Sequence, residues 1–301
     1  DAIGLSQQML PYEVHLLENL RFHKGETEND PVFSAYLAEH ADIYINDAFG
    51  TAHRSHASNM GVSAIINETA IGFLMEKELK YLGDTMKTPE QPFVIILGGA
   101  KISDKITLIH NLMEKADAIL IGGAMAFTFL KVQGKNVGAS LIDQDNLNTA
   151  EDILSLAEKT NTNIVLPVDV VAGPKLSDDA TWRIANLDQL KTGEAGYDIG
   201  PETTMEFEMI LSNAKTIFWN GPLGVSEIPA FSTGTQAIAS AVIDQTEEGA
   251  ISIIGGGDTA SALKQYGLEG GFTHISTGGG ASLQLMSGKQ LPALEALQEY
   301  A

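Results

Sequence analysis

The sequence predicts an α/β fold: two doubly wound, parallel-sheet domains joined by a helix, the first of them incomplete in this chain. Three observations lead there. Short β-branched or aliphatic runs alternate with amphipathic stretches of helical length. Several of those runs, FVIIL and ISII among them, are apolar throughout, as strands buried on both faces are. Four of them end in glycine clusters that lead into a helical pattern, the layout of strand–turn–helix units.

Taken in order, strands are expected at residues 14–17, 43–46, 93–97, 118–121, 163–166, 216–219, 251–254 and 273–276. A first helix is expected over 31–40, with Asp30 as N-cap and Pro31 at its first position. Residues 72–87, GFLMEKELKYLGDTMK, read as a helix of mixed charge; the Pro-bearing linker TPEQP and a new buried strand follow, which marks the join between domains. Over 103–116, Ile106, Ile109, Leu112 and Met113 share one helical face. Residues 148–159, 202–214, 232–243 and 259–266 repeat that pattern. Residues 1–71 hold only two clear strands, too few for a doubly wound domain, and the chain starts at Asp1 without a methionine, so a preceding amino-terminal segment is expected. The resulting division is an incomplete first domain over 1–71, a connecting helix over 72–87, a larger domain over 88–282 and a tail over 283–301.

Composition narrows the function. With 44% hydrophobic and 19% charged residues the chain is neither disordered nor fibrous. Its longest apolar stretch, 118–130, is broken by glycines and falls short of the ~20 residues of a membrane span. The absence of cysteine excludes disulfides and thiolate metal sites and suits a cytoplasmic protein. Lys plus Arg number 18 against 39 Asp plus Glu, a net charge of −21, which disfavours nucleic acids and anionic membranes as partners. Only three arginines occur, Arg21, Arg54 and Arg183.

The glycine clusters are Gly98-Gly99, Gly122-Gly123, Gly255-Gly256-Gly257 and Gly278-Gly279-Gly280. Any one pair could simply turn the chain. Four at strand ends, two of them triplets, point to a phosphate or nucleotide site, because glycine allows close backbone approach and the following helix offers free N–H groups. Neither G-x-x-x-x-G-K-[ST] nor G-x-G-x-x-G occurs, which disfavours a P-loop NTPase and a dinucleotide-binding dehydrogenase. In GGAKISDK, Lys101 and Lys105 stand four apart near a helix start, an unfavourable place for cations unless an anion binds. In GGGDTASA, Asp258 is either a helix N-cap or a carboxylate that holds Mg²⁺ beside phosphates. Asp104 and Asp198 read as structural. ENLRFHKGE and NDAFGTAHRSHAS supply Arg21, His23, Lys24, His53, Arg54 and His56, a set suited to an anionic small substrate. The H-x-x-H spacing there lacks a third metal ligand, and no G-x-S-x-G or H-E-x-x-H is present.

Together LLENLRFHKGE, NDAFGTAHRSHAS, FVIILGGAKISDKI, GGAMAFTFL, FWNGPLGVSE, IIGGGDTA and HISTGGGASL resemble segments of the phosphoglycerate kinase family, in order and across nearly the whole chain. The resemblance implies two Rossmann-like domains, reversible phosphoryl transfer between 1,3-bisphosphoglycerate and Mg-ADP to give 3-phosphoglycerate and Mg-ATP, a hinge that closes, and a cytoplasmic monomer. By matching position, Arg21 and Arg54 bind the phosphoglycerate, and Lys101 and Lys105 contact nucleotide phosphates and the group in transit. Gly196 lies against base or ribose, and Glu227 binds the ribose. Gly256, Gly257, Asp258 and Thr259 hold phosphates and Mg²⁺, with Asp258 as the metal residue. Gly278, Gly279 and Gly280 offer amides near the moving phosphoryl, and Asn220 sits nearby. Lys101, Lys105, Gly257 and Gly280 form the catalytic set. The tail resembles the segment that returns to the first domain. Two departures stand out. The family's opening segment, with substrate-binding Asp and Asn, a catalytic arginine and an H-x-x-R-P loop, is absent, and Ser226 replaces an aromatic residue beside Glu227. The first leaves open a second reading, a nucleotide-binding fragment without catalysis; a dehydrogenase is the third.

Overall fold

Apolar runs of four or five residues, flanked by glycine and acting as strands, organise the chain into two compact units. The computed structural model describes residues 2–177, 179 and 181–297; Asp1 and residues 298–301 of the expected tail lie outside them. One unit comprises Asp1–Gly83 and Gly280–Ala301, the other Asp84–Gly279.

The smaller unit opens with α1 (Ala2–Gln7), α2 (Lys24–Thr27) and α3 (Pro31–Ala38). α3 starts as its sequence dictates: Asp30 Oδ1 accepts from Phe33 N at 2.8 Å, and Pro31 occupies the first turn. Strands β1 (Ile43–Asn46) and β2 (Glu68–Ile71) pair in parallel. The expected strand at 14–17 does not form. Val14 and Leu16 are 92% and 90% exposed, so its alternating pattern has no apolar surface to bury against among the described residues. α4 (Phe73–Glu78) runs on into a π-helical stretch, Leu79–Thr85, where a continuous helix was expected over 72–87.

The larger unit is built on a six-stranded parallel sheet of β3 (Phe93–Leu97), β4 (Ala118–Ile121), β5 (Asn163–Val165), β9 (Thr216–Asn220), β10 (Ile251–Gly255) and β11 (His274–Ile275), in the order β11-β10-β9-β3-β4-β5. Side chains alternate between faces along a strand, and every residue of FVIIL is buried, so both faces are covered. On one face Val94, Ile96, Leu120 and Trp219 pack with Phe207, Ile238 and Leu263. The helices are α5 (Ile106–Met113), α6 (Met125–Val132), α7 (Leu147–Thr160), α8 (Pro201–Leu211), α9 (Thr233–Glu247) and α10 (Gly257–Gln265).

A second sheet went unread in the sequence: β6 (Asp169–Gly173), β7 (Arg183–Asn186) and β8 (Ala195–Ile199) form an antiparallel sheet in the order β7-β6-β8. Charged and glycine residues interrupt these runs, which blurs their period. β2 escaped notice because ETAI is a four-residue run opened by a glutamate and parted from the following helix only by Gly72. The chain ends with α11 (Gly280–Met286) and α12 (Pro292–Glu295), both in the smaller unit.

Candidate functional site

In the larger unit three strand ends lie side by side. β9 is central, and the register aligns Asn220 with Leu97 of β3 and with Gly255 of β10. The loops beyond meet main chain to main chain. Gly98 N donates to Asn220 O at 3.0 Å, and Gly99 N to Pro222 O at 2.9 Å. A Cβ on Gly98 would strike the carbonyls of Gly221 and Pro222, so only glycine permits this approach. Thr259, fully buried in the first turn of α10, accepts from Gly221 N at 2.7 Å and donates to Gly255 O at 3.2 Å, locking the β10 loop to the β9 loop.

Two polar side chains rise from this floor. Lys105 Nζ donates to Asn220 Oδ1. Asn220 is 1% exposed, and its Nδ2, which has no partner, lies beside the Gly255-Gly256 backbone, 3.1 Å from where a Cβ on Gly256 would sit. A buried donor left unpaired costs about 1–3 kcal/mol, which an incoming acceptor would recover. Burial holds the Lys105 ammonium below its ordinary pKa, and the nearby carboxylates of Asp104 and Asp258 oppose that shift.

Asp258 is exposed in the first turn of α10. The N-cap is Gly256, at φ +90°, and no side chain caps the helix, so the capping role considered for Asp258 is ruled out. Among the described residues no group of three or more His, Asp or Glu could hold a metal ion. One exposed carboxylate next to a glycine turn does fit Mg²⁺ whose remaining ligands are phosphate oxygens and water. Lys101 is exposed in the loop after Gly99. Its expected helical pairing with Lys105 is absent: Ile102 is buried, Lys105 N closes a turn on Ile102 O at 2.8 Å, and α5 begins only at Ile106.

The other nucleotide candidates lie apart. Gly196 is buried in β8, its N donates to Ser140 Oγ at 3.0 Å, and the Phe127 ring fills the space a Cβ would need. Glu227 is exposed in the loop after β9, next to Ser226. Among the described residues no hydrogen bond or ion pair joins Gly196 or Glu227 to Lys105 and Asn220. Gly278 N donates to Ser276 Oγ at 3.1 Å, and Gly279 has φ +49°.

The smaller unit gathers cations. Arg21 and Arg54 are both exposed, and both act electrostatically on His56. Burial foremost, then these two guanidiniums, keep the His56 imidazole below its usual pKa, while the Glu26 carboxylate draws it up. His53 is lowered likewise by burial, Arg54 and His56. Gly280 opens α11 beside His53, whose Nε2 lies 3.1 Å from the position of a Cβ on that glycine. Two participants escaped sequence reasoning. Tyr266, at the end of α10, donates its hydroxyl to Ser226 O at 3.0 Å, and Glu26 is buried at 4% exposure beneath the Arg54 loop. Tyr266 belongs to no motif, and Glu26 closes ENLRFHKGE, a string read for its cations, so only tertiary contact reveals what either does.

Comparison with known proteins agrees. The family model described as phosphoglycerate kinase matches residues 2–289. Phosphoglycerate kinase of Prosthecochloris aestuarii is 53% identical over 287 residues, which is 95% of this chain and 72% of that protein. That of Chloroherpeton thalassium is 51% identical over 302 residues, 99% of this chain and 76% of that protein. Among solved structures, phosphoglycerate kinase from Coxiella burnetii superposes with a TM-score of 0.88 at 42% identity, over 94% of this chain and 72% of that one. The enzyme from Pyrococcus horikoshii OT3 gives 0.86 at 33% identity, over 100% and 77%. These matches favour a kinase over both alternatives, the fragment without catalysis and the dehydrogenase.

Proposed function

Because this chain belongs to the phosphoglycerate kinase family, and is thus a glycolytic kinase that moves a phosphoryl group reversibly between 1,3-bisphosphoglycerate and ADP, we propose a role for each of its candidate residues. The nucleotide's phosphates lie over the joined ends of β3, β9 and β10. There Gly256, Gly257 and Thr259 offer main-chain N–H groups at the uncapped start of α10. The unpaired Nδ2 of Asn220 donates to a phosphate oxygen, and Lys105 turns from Asn220 toward the added negative charge. Lys101, on its exposed loop, reaches the group in transit. Gly196 and Glu227 take the base and ribose, while Gly278, Gly279 and Gly280 supply further amides.

Asp258 holds Mg²⁺, which when bound neutralises the charge shared by the phosphate oxygens. Arg21 and Arg54 hold the phosphoglycerate's carboxylate and phosphate in bidentate fashion. No side chain here serves as a covalent nucleophile, and none is needed: transfer between an acyl phosphate and ADP is a matter of in-line positioning and charge neutralisation. The protein acts as a cytoplasmic monomer on small-molecule substrates.

The observation that carries this reading is the buried Asn220 amide, unpaired on one side and bound to Lys105 on the other. A coupled assay with 3-phosphoglycerate and Mg-ATP tests it. Lys105→Ala should lower kcat/KM for the nucleotide by about 10²-fold or more, with the thermal midpoint nearly unchanged. Normal kinetics with a large loss of stability would make Lys105 structural.

A further inference from the structure

Beneath the Arg54 loop lies a carboxylate that the reaction does not use. Glu26, in α2, is 4% exposed, yet it receives three groups from residues 56 and 58. Ser58 Oγ donates to Oε1 at 2.6 Å, Ser58 N donates to Oε2 at 2.9 Å, and His56 Nδ1 stands 3.7 Å from Oε1. Tyr44, from β1, fastens the same point by donating its hydroxyl to Ser58 O at 2.8 Å. The short helical stretch Ala57–Gly61 begins there with His56 as N-cap and no side-chain cap of its own. Its first turn is therefore held from another element.

Burying a carboxylate is costly unless it is hydrogen-bonded, and this one gathers its donors from one short loop. The charged groups acting on His56 are Glu26, Arg21 and Arg54, and His53 lies close enough to feel both His56 and Arg54. A negative charge under this cluster offsets the mutual repulsion of the two guanidiniums when no anion is bound, and it fixes the chain two residues after His56 and four after Arg54.

We propose that Glu26 is a positioning residue for the anionic substrate: by clamping Ser58 and facing His56, it sets the loop from which Arg54 reaches the phosphoglycerate. This rests on the assignment of Arg21 and Arg54 to that substrate.

Calorimetric titration of the chain with 3-phosphoglycerate, and separately with Mg-ADP, tests it. Glu26→Ala should weaken 3-phosphoglycerate binding about tenfold or more while Mg-ADP affinity stays within about twofold, and Glu26→Gln, which keeps the shape and one acceptor, should fall between. The His56 ring resonance should titrate at lower pH in Glu26→Gln than in the parent, because the raising charge is gone. That shift follows from the proximity of the two groups in either case; a merely structural glutamate would lower stability and leave 3-phosphoglycerate affinity in place. Should Glu26→Ala fail to fold, Glu26→Gln carries the test by itself. Unchanged 3-phosphoglycerate affinity in Glu26→Gln, with binding still weakened by Arg54→Ala, overturns the role of Glu26 alone. Loss in neither variant, or no binding by the parent, overturns the substrate assignment beneath it.

Discussion

Asp198 shows how much one side chain can be asked to do. It ends its run in β8 with its carboxyl group buried, accepting from Gly234 N at 2.7 Å at the start of α9 and from Ile199 N at 2.9 Å. Gly224 and Gly234 press so close that a Cβ on either would meet it. Burial pushes its pKa from 3.8 up to about 7, against the pull of those two donors. Between these values the folded chain keeps a proton that the unfolded chain has lost. The stability it contributes is therefore complete below about pH 4 and is lost as the pH rises to about 7. In Asp198→Asn that slope should vanish, a difference of a few kcal/mol across the window when denaturant unfolding is compared at pH 5 and pH 7.5. Parallel pH–stability curves for parent and variant would show that the carboxyl group titrates normally. Sequence alone placed Asp198 among structural residues but gave no hint of its burial, because the donors come from residues 1 and 36 positions away.

Among the elements, short aliphatic runs were the legible ones, whether buried throughout as in β3 or partly exposed as in β1, while β6, buried throughout, was not. FVIIL and AILI carry an unbroken apolar signal and formed the strands expected at 93–97 and 118–121, and the strand expected at 216–219 formed over Thr216–Asn220. The antiparallel β6–β8 sheet and β2 owe their strand form to pairing partners distant in sequence, which no local pattern encodes. The expected strand at 14–17 makes the converse point: the run remains irregular where nothing among the described residues pairs with it. For the site, the glycine clusters were read as places where backbone could approach a phosphate; that Gly98 and Gly99 also press against the Gly221-Pro222 backbone came only from the sheet register. Gly98 makes this measurable. Gly98→Ala should destabilise by about 1–3 kcal/mol in denaturant unfolding, because a methyl group drives the β3 and β9 loops apart. Gly134, at φ +74° with open space around it, is the control: Gly134→Ala should cost about 1–2 kcal/mol through backbone strain alone and leave nucleotide affinity intact. Loss of nucleotide affinity in both or in neither would remove the distinction between a packed loop and a free one.

At the scale of the whole molecule, charge sets the company the protein keeps. With a net charge of −21 it sets Lys105, Arg21 and Arg54 against an acidic background, and the carboxylates of Asp104 and Asp258 act on Lys105 itself. A fluorescent DNA duplex at low salt should show no anisotropy change up to about 10 μM protein. Saturable binding there would mean that a basic surface outweighs the mean field. No helix among the described residues is long and apolar enough to cross a membrane. The chain spans about three quarters of the length of the relatives it matches, and the six-stranded sheet lies wholly within the larger unit.

The main-chain construction of the phosphate seat bears on how such a protein can change over time. Where main-chain amides would face a ligand an alanine scan removes nothing, and it reads only the side chains beside them, Lys105 and Asn220 foremost. Gly98, Gly221 and Gly256 can vary only at the expense of the packing that brings their neighbours together. Variation is thereby displaced to the rim, where Ser226 stands where the family's pattern has an aromatic ring. A substitution beside the proposed phosphate seat, as at Ser226, can change the surroundings and leave those main-chain groups where they are.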